Sequence, residues 1–401
     1  MLLTANYSFM NVENLSLVKD EVERIYGRKV LTASDCQFLS KDIYQRTQYQ
    51  VSLNTLRRTF NLMKSKYQPS MFTLDLLSKY CGYTSITDFI SQKEESMNNN
   101  NHDNYFGLLN FLVLLFNDSN IKNKDDITYI NLVRDVINNL EKWPNVIEDF
   151  QQQVARKVNG QTFYFEQFIN IDKLNSYYGN GLRYYLNEKK SVDAQIFGHS
   201  LLCFRNWLTI NDEGVLKHFN ALKNLTPHPT AHPFISGRYY AAMLYYSDVF
   251  KGDTDLVLMA ARDFYAGLKL VKHPDQCFPC FEYIMAEALI LVNHYDEAMY
   301  YINESVKKRN NHLPPHIDVR LFESIFLFKA IALSKSGRVE ESKEIFDIIN
   351  TGNFYFLSKQ FNSILYLLLK RSYLHKEFLD RQLQYLFKHT GFKRLIMNWS
   401  D

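Results

Sequence analysis

Between Ser96 and Asn104 the sequence reads Ser-Met-Asn-Asn-Asn-Asn-His-Asp-Asn, a polar run without apolar periodicity and built from residues that favour turns over helix. No core can be assembled from such a run, so it is expected to separate whatever folds on either side. The reading is a small module over residues 1–95, a linker over 96–104 and a large module over 105–401. Each flank is long enough to bury a core of its own.

Both flanks are written in helical spacing. In the first, Leu15, Val18, Val22 and Ile25 recur every three or four residues before a stop at Gly27. Ser34-x-x-Gln37 has the form of a capping box and opens a segment with Cys36, Leu39 and Ile43 on one face. Ser52 then precedes a stripe of Leu53, Leu56 and Phe60. Pro69-Ser70 precedes Leu74, Leu77 and Cys81, with Gly82 in a C-terminal capping position. Ser85-x-x-Asp88 opens a last helix with Ile86, Phe89 and Ile90 inward. Five helices and no strand are expected here.

The second flank continues as helical hairpins, punctuated at Trp143-Pro144, Asn159-Gly160, Gly179-Asn180-Gly181, Pro227 to Pro233, Pro274, Pro314-Pro315 and Thr351-Gly352. Thirty Phe and 27 Tyr against 14 Gly and 9 Pro suit packed helices, so the expected class is all-α. Five scattered cysteines point to a reducing compartment rather than a disulfide framework. The start Met-Leu-Leu-Thr-Ala lacks the form of a signal peptide, and the longest apolar stretch, Leu108 to Phe116, is too short to span a bilayer. A cytoplasmic protein without membrane contact is expected.

Chemistry-bearing motifs are few. Nothing has the form of a phosphate loop, a zinc-hydrolase His pair or a nucleophile elbow, so no enzyme and no cofactor or metal is expected. Cys277-x-x-Cys280 after His273 reads as a redox pair, half a zinc site, or a helix start with packed thiols. His228 and His232 stand four apart, but the surrounding prolines make a connecting loop the simpler account.

Charge is concentrated in one place. Residues 41–70 hold six basic side chains (Lys41, Arg46, Arg57, Arg58, Lys64, Lys66) against Asp42 alone, in a chain whose total is +3. On the helix expected after Ser52, Leu53, Leu56 and Phe60 form the inner face, with Asn54, Thr55 and Arg58 opposite and Arg57 and Asn61 flanking. Arg and Asn are the side chains that pair guanine and adenine edges, and Ser52 at the cap would leave N–H groups for a phosphate. The same Arg57-Arg58 pair also fits a solvated helix face with no ligand.

The segment Val51-Ser-Leu-Asn-Thr-Leu-Arg-Arg-Thr-Phe60 followed by Pro69-Ser-x-x-Thr-Leu-x-Leu-Leu to Gly82 resembles the Cro/repressor-type (XRE) helix-turn-helix family over about 50 residues. Further along, Ala286 and Leu289 precede Asn293-His-Tyr-Asp-Glu-Ala298, and Ala330 and Leu333 precede Ser336-Gly-Arg-Val-Glu-Glu-Ser342. These two hairpins resemble tetratricopeptide (TPR) repeats, although Tyr295 and Val339 are 44 apart where the family repeats at 34. The combination resembles peptide-pheromone-responsive regulators. It implies an all-α fold, a helix-turn-helix module followed by a TPR-like α-solenoid. It also implies double-stranded DNA as partner, a peptide or protein effector in the repeat groove, and a homodimer. Ser52, Asn54, Thr55, Arg57, Arg58, Asn61, Lys64 and Lys66 are the DNA-binding candidates. Tyr283, Glu287 and Ile290, on successive turns of one helix, are the expected groove residues. The rival reading is a non-enzymatic interaction scaffold whose N-terminal module makes only protein contacts.

Overall fold

The computed structural model describes residues 12–64, 69–117, 127–271, 280–309, 321–374, 377–397 and 399, and among them every regular element is a helix. The chain divides into two compact units, Met1–Gly107 and Leu108–Asp401.

The first unit contains α1 (Val12–Tyr26), α2 (Ala33–Thr47), α3 (Leu53–Thr59), α4 (Met71–Tyr80) and the start of α5 (Ile86–Leu114). Its core takes Val18 and Val22 from α1, Leu39 and Ile43 from α2, Leu56 from α3, Leu74 and Leu77 from α4, and Phe89 from α5. Each is an apolar residue repeated at helical spacing, and burying one contributes about 1.5–3 kcal/mol. Three details differ from expectation. The capping box sits two residues early: Thr32 Oγ1 accepts from Asp35 N at 3.2 Å, and Asp35 Oδ2 accepts from Thr32 N at 2.8 Å. Carboxylate acceptors make the stronger cap, and Ser34-x-x-Gln37 is not used. Leu53, expected on the buried stripe, is exposed, and Thr59 is buried in that stripe instead. Thr59 can go inside because its hydroxyl donates back to the Thr55 carbonyl at 2.9 Å. Finally, Ser96–Asn104 is not a turn-rich linker but lies inside α5. Asparagine costs a helix at most about 0.7 kcal/mol per residue, which does not stop a helix already nucleated.

The second unit is a series of paired helices. It opens with the end of α5, followed by α6 (Ile127–Asn139) and α7 (Pro144–Val154), the latter carrying Pro144 in its first turn. A π-helical segment, Gly160–Gln167, leads to α8 (Tyr177–Glu188). Then come α9 (Val192–Leu208), α10 (Asp212–Leu222), α11 (Pro233–Phe250), α12 (Thr254–Leu268), α13 (Phe281–Leu291), α14 (Tyr295–Arg309), α15 (Leu321–Lys335), α16 (Val339–Ile348), α17 (Lys359–Tyr373), α18 (Glu377–Thr390) and α19 (Arg394–Met397). Gly179-Asn180-Gly181, read as a breaker, lies within α8. A Cβ on Gly179 would stand 1.9 Å from the Leu174 carbonyl oxygen, so glycine serves close approach there rather than a turn. The two hairpins with a repeat-like pattern are present as α13–α14 and α15–α16. Their turns use Asn293 at φ 65° and Gly337 at φ 80°. Ala286, Ala298, Ala330 and Ser342 are fully buried at the helix contacts.

The first helices of the pairs, α9, α11, α13, α15 and α17, pack side by side in that order, and α19 comes back onto α9. Phe204 of α9 meets Phe361 of α17 at 5.9 Å between ring centres. Asp172 accepts from Gln360 N at 2.8 Å and Phe361 N at 2.9 Å, holding the N-terminus of α17. Asn175 Nδ2 donates to the Thr390 carbonyl, and Arg394 Nε donates to the Trp207 carbonyl at 2.7 Å. These bonds join residues 182 to 215 positions apart, counting Arg394 to Asp212. In an open solenoid each repeat touches only its neighbours. Here the row of helices closes on itself.

Candidate nucleic-acid interface

α3 is short, seven residues, and is fixed at its start by Ser52, whose Oγ accepts from Thr55 N at 3.0 Å and shares a hydrogen bond with Thr55 Oγ1 at 2.7 Å. Both side chains are thus engaged in building the helix. The Thr55 N–H is consumed by the cap and is not left for a phosphate. Leu56 and Thr59 face the core. Asn54 and Arg58, one turn apart, are exposed on the outer side, and neither side chain has a hydrogen-bond partner among the described residues. Arg57 is half-buried: its Nε has no acceptor, and its charge opposes the burial that pushes the Cys36 thiol up.

Past the helix end, Asn61 adopts a left-handed φ of 61° and its Oδ1 accepts from Lys19 Nζ at 3.3 Å. Asn61 therefore belongs to a turn rather than to the helix face on which it was expected. Lys19, contributed by α1, is a cation at this edge that spacing within residues 41–70 had no means of revealing; burial is the first cause lowering its pKa. Lys64 is exposed, and Lys66 lies outside the described residues. Arg46 is partly neutralised: it stands 3.5 Å from Asp42 and over the Tyr80 ring, while Tyr80 Oη donates to the same carboxylate. The basic excess available to a ligand is thus smaller than the sequence count, and it gathers on Arg58, Lys41 and Lys64.

The groove residues fare differently. Tyr283, Glu287 and Ile290 are all buried, as is every residue of α13. Tyr283 packs on Phe328 at 5.6 Å, and Glu287 pairs with Arg238 of α11 at 2.8 Å. The expected open groove at these positions is corrected, because α13 is flanked by α11 and α15 as well as by its own partner α14. Of the remaining motifs, Cys277 and His273 lie outside the described residues and Cys280 is a buried cysteine preceding α13. His228 Nδ1 bonds Thr230, and His232 Nδ1 accepts from Phe234 N to cap α11, so both rings serve local turns. No cluster of three metal-ligating side chains and no helix long and apolar enough to cross a membrane occurs among the described residues. No known family, curated protein or solved structure matches the chain.

Proposed function

We propose that the chain is a DNA-binding transcriptional regulator, with the first unit reading double-stranded DNA through α3 and the second unit sensing an effector. The observation that carries the reading is the two-sided character of α3. Leu56 and Thr59 seal a core, while Asn54 and Arg58 stand free on the outer side with the residue types that pair adenine and guanine edges. Lys41 and Lys64 supply exposed charge for phosphates. The likeness of Val51 to Gly82 to XRE helix-turn-helix proteins supports the same role, and the paired helices of the second unit suit a sensor.

The test is selection of bound fragments from a genomic DNA pool by the full chain, followed by titration of the recovered site against salt. One recurring motif is expected. About three phosphate contacts would weaken binding roughly 40-fold between 50 and 200 mM salt. Recovery of random fragments would overturn sequence-specific recognition.

A second reading, a protein-interaction scaffold, is favoured by exposed apolar residues on the same unit. Tyr49 and Phe72, both more than half exposed, meet edge to face at 6.5 Å, beside exposed Met71. Binding that is insensitive to salt and needs no DNA would support it instead.

A further inference from the structure

A cavity of about 540 Å³ lies in the second unit, floored by α9 and walled by residues of α8 and α10. Its lining includes Arg183, Lys190, Arg205 and Lys217, together with His199 and His218, and no carboxylate. Four permanent positive charges therefore share one concavity, and none of them forms an ion pair among the described residues. What hydrogen bonds they have go to neutral oxygens. Arg183 Nη2 and Arg205 Nη1 both donate to Asn180 Oδ1, at 3.1 and 3.3 Å, and Lys190 Nζ donates to the Leu186 carbonyl at 2.9 Å. The acids nearest in sequence point elsewhere: Asp212 pairs with Arg394, Glu188 with Arg156, and neither Asp193 nor Glu213 is in the lining.

Gathering like charges costs free energy that this arrangement does not recover internally. Burial, and then the neighbouring Arg183, lower the pKa of Arg205. His199 and His218 meet through their Nδ1 atoms at 2.9 Å, a contact that needs one ring nitrogen to be bare. Burial is the first cause holding both imidazoles below their ordinary range, with Lys217 adding to it in each. A negative charge placed in this cavity would oppose the repulsion among Arg183, Arg205, Lys217 and the two imidazoles together.

We propose that the cavity between α8, α9 and α10 is a binding site for a small phosphate-class anion carrying at least two negative charges, with Arg183, Arg205 and Lys217 as its charge partners. Its volume is that of a small-molecule pocket. The guanidinium of Arg183 and the ammonium of Lys217 are exposed at the rim, placed to capture the anion, while half-buried Arg205 lies deeper. Entry of the anion favours the protonated form of the His199–His218 pair, so binding takes up protons and tightens as pH falls. The site goes beyond the DNA-binding reading and stands without it.

Pyrophosphate is the probe, added to the full chain without DNA and compared with sodium chloride at matched ionic strength. The melting temperature is expected to rise by several degrees at millimolar pyrophosphate, with tighter binding at pH 6 than at pH 8 once the pyrophosphate charge is corrected for. Arg183→Gln combined with Lys217→Gln, both at exposed positions, should leave the ligand-free melt no lower, since it relieves like-charge repulsion, and should weaken pyrophosphate at least tenfold. Arg183→Lys should retain most of the binding. No rise beyond the chloride control overturns the proposal. So does a rise that the double variant keeps in full, because the anion would then be binding elsewhere.

Discussion

Arg238 and Glu287 meet at 2.8 Å inside the second unit, each with 3% of its side chain exposed. The guanidinium also lies over the faces of Phe204 and Phe234, at 5.2 and 5.3 Å from their centres. Burial pushes the Glu287 pKa up, and Arg238 opposes it. The pair is thus a charge couple that neither partner can leave cheaply. Glu287→Ala is expected to cost about 3–5 kcal/mol in urea unfolding, because it strands a buried cation. Replacing both, as Arg238→Met with Glu287→Leu, should recover most of that loss. Equal losses in the single and double variants would mean that packing volume, rather than charge, dominates.

Arg58 and Arg57 are neighbours with different surroundings, and they should answer differently. Arg58→Ala removes an exposed side chain and should leave the melt within about 0.5 kcal/mol. If it reads a base, it should also weaken DNA binding by about 1–3 kcal/mol, concentrated at one position of the site. Arg57→Ala deletes a half-buried stem beside Cys36 and should lower the melt itself. The paired comparison, by thermal unfolding and DNA titration, separates a recognition residue from a supporting one.

The His199–His218 pair carries a pH signature that needs no ligand. Burial, first, lowers both imidazoles, His218 to about 3, against about 6.5 in an unfolded chain. Between those values the unfolded state binds a proton that the folded state refuses. The contribution is therefore present in full above pH 6.5 and is lost as pH falls toward 3. Lowering pH from 7 to 5 should cost about 2 kcal/mol from His218 alone. Denaturant midpoints at both pH values will measure it, and His218→Gln should flatten the slope.

Asp172 accepts two backbone N–H groups at the start of α17 from 188 and 189 positions away. Asp172→Ala takes the acceptor from the buried Phe361 N–H and the part-buried Gln360 N–H and is expected to cost about 1–3 kcal/mol. Hydrogen exchange should quicken at Gln360 and Phe361 before it does in α9. Unchanged exchange there would mean that α17 holds its first turn without this cap.

The all-helical class and the order of helices were legible wherever one face of a helix was apolar. Val18 and Val22, or Leu74 and Leu77, declare an inner side by spacing alone. The misses have a common physical cause. α13 reads Phe-Glu-Tyr-Ile-Met-Ala-Glu-Ala-Leu-Ile-Leu, apolar nearly all round, which is the pattern of a helix buried on every side. By spacing alone Glu287 marks a wet face, because its partner, Arg238, lies 49 residues away. Periodicity reports local geometry, and such a pairing is not local. The cationic cavity was hidden for the same reason, since Arg183 on α8, Lys190 between α8 and α9, Arg205 on α9 and Lys217 on α10 meet only in three dimensions. At the candidate DNA interface, spacing found exposed Asn54 and Arg58, but it did not find that Asn61 is tied to Lys19.

The return of α17 and α19 onto α9 has a consequence for the order in which the chain is made. Trp207 gives its carbonyl to Arg394, and Phe204 lies against Phe361, so the inner side of α9 is completed by residues synthesised more than 150 positions later. During translation α9 and α11 leave the ribosome with that side uncovered, and local helix pairing cannot cover it. Closure is a high-contact-order step, slow relative to hairpin formation, and the apolar surface stays open to other nascent chains or to a chaperone until it happens.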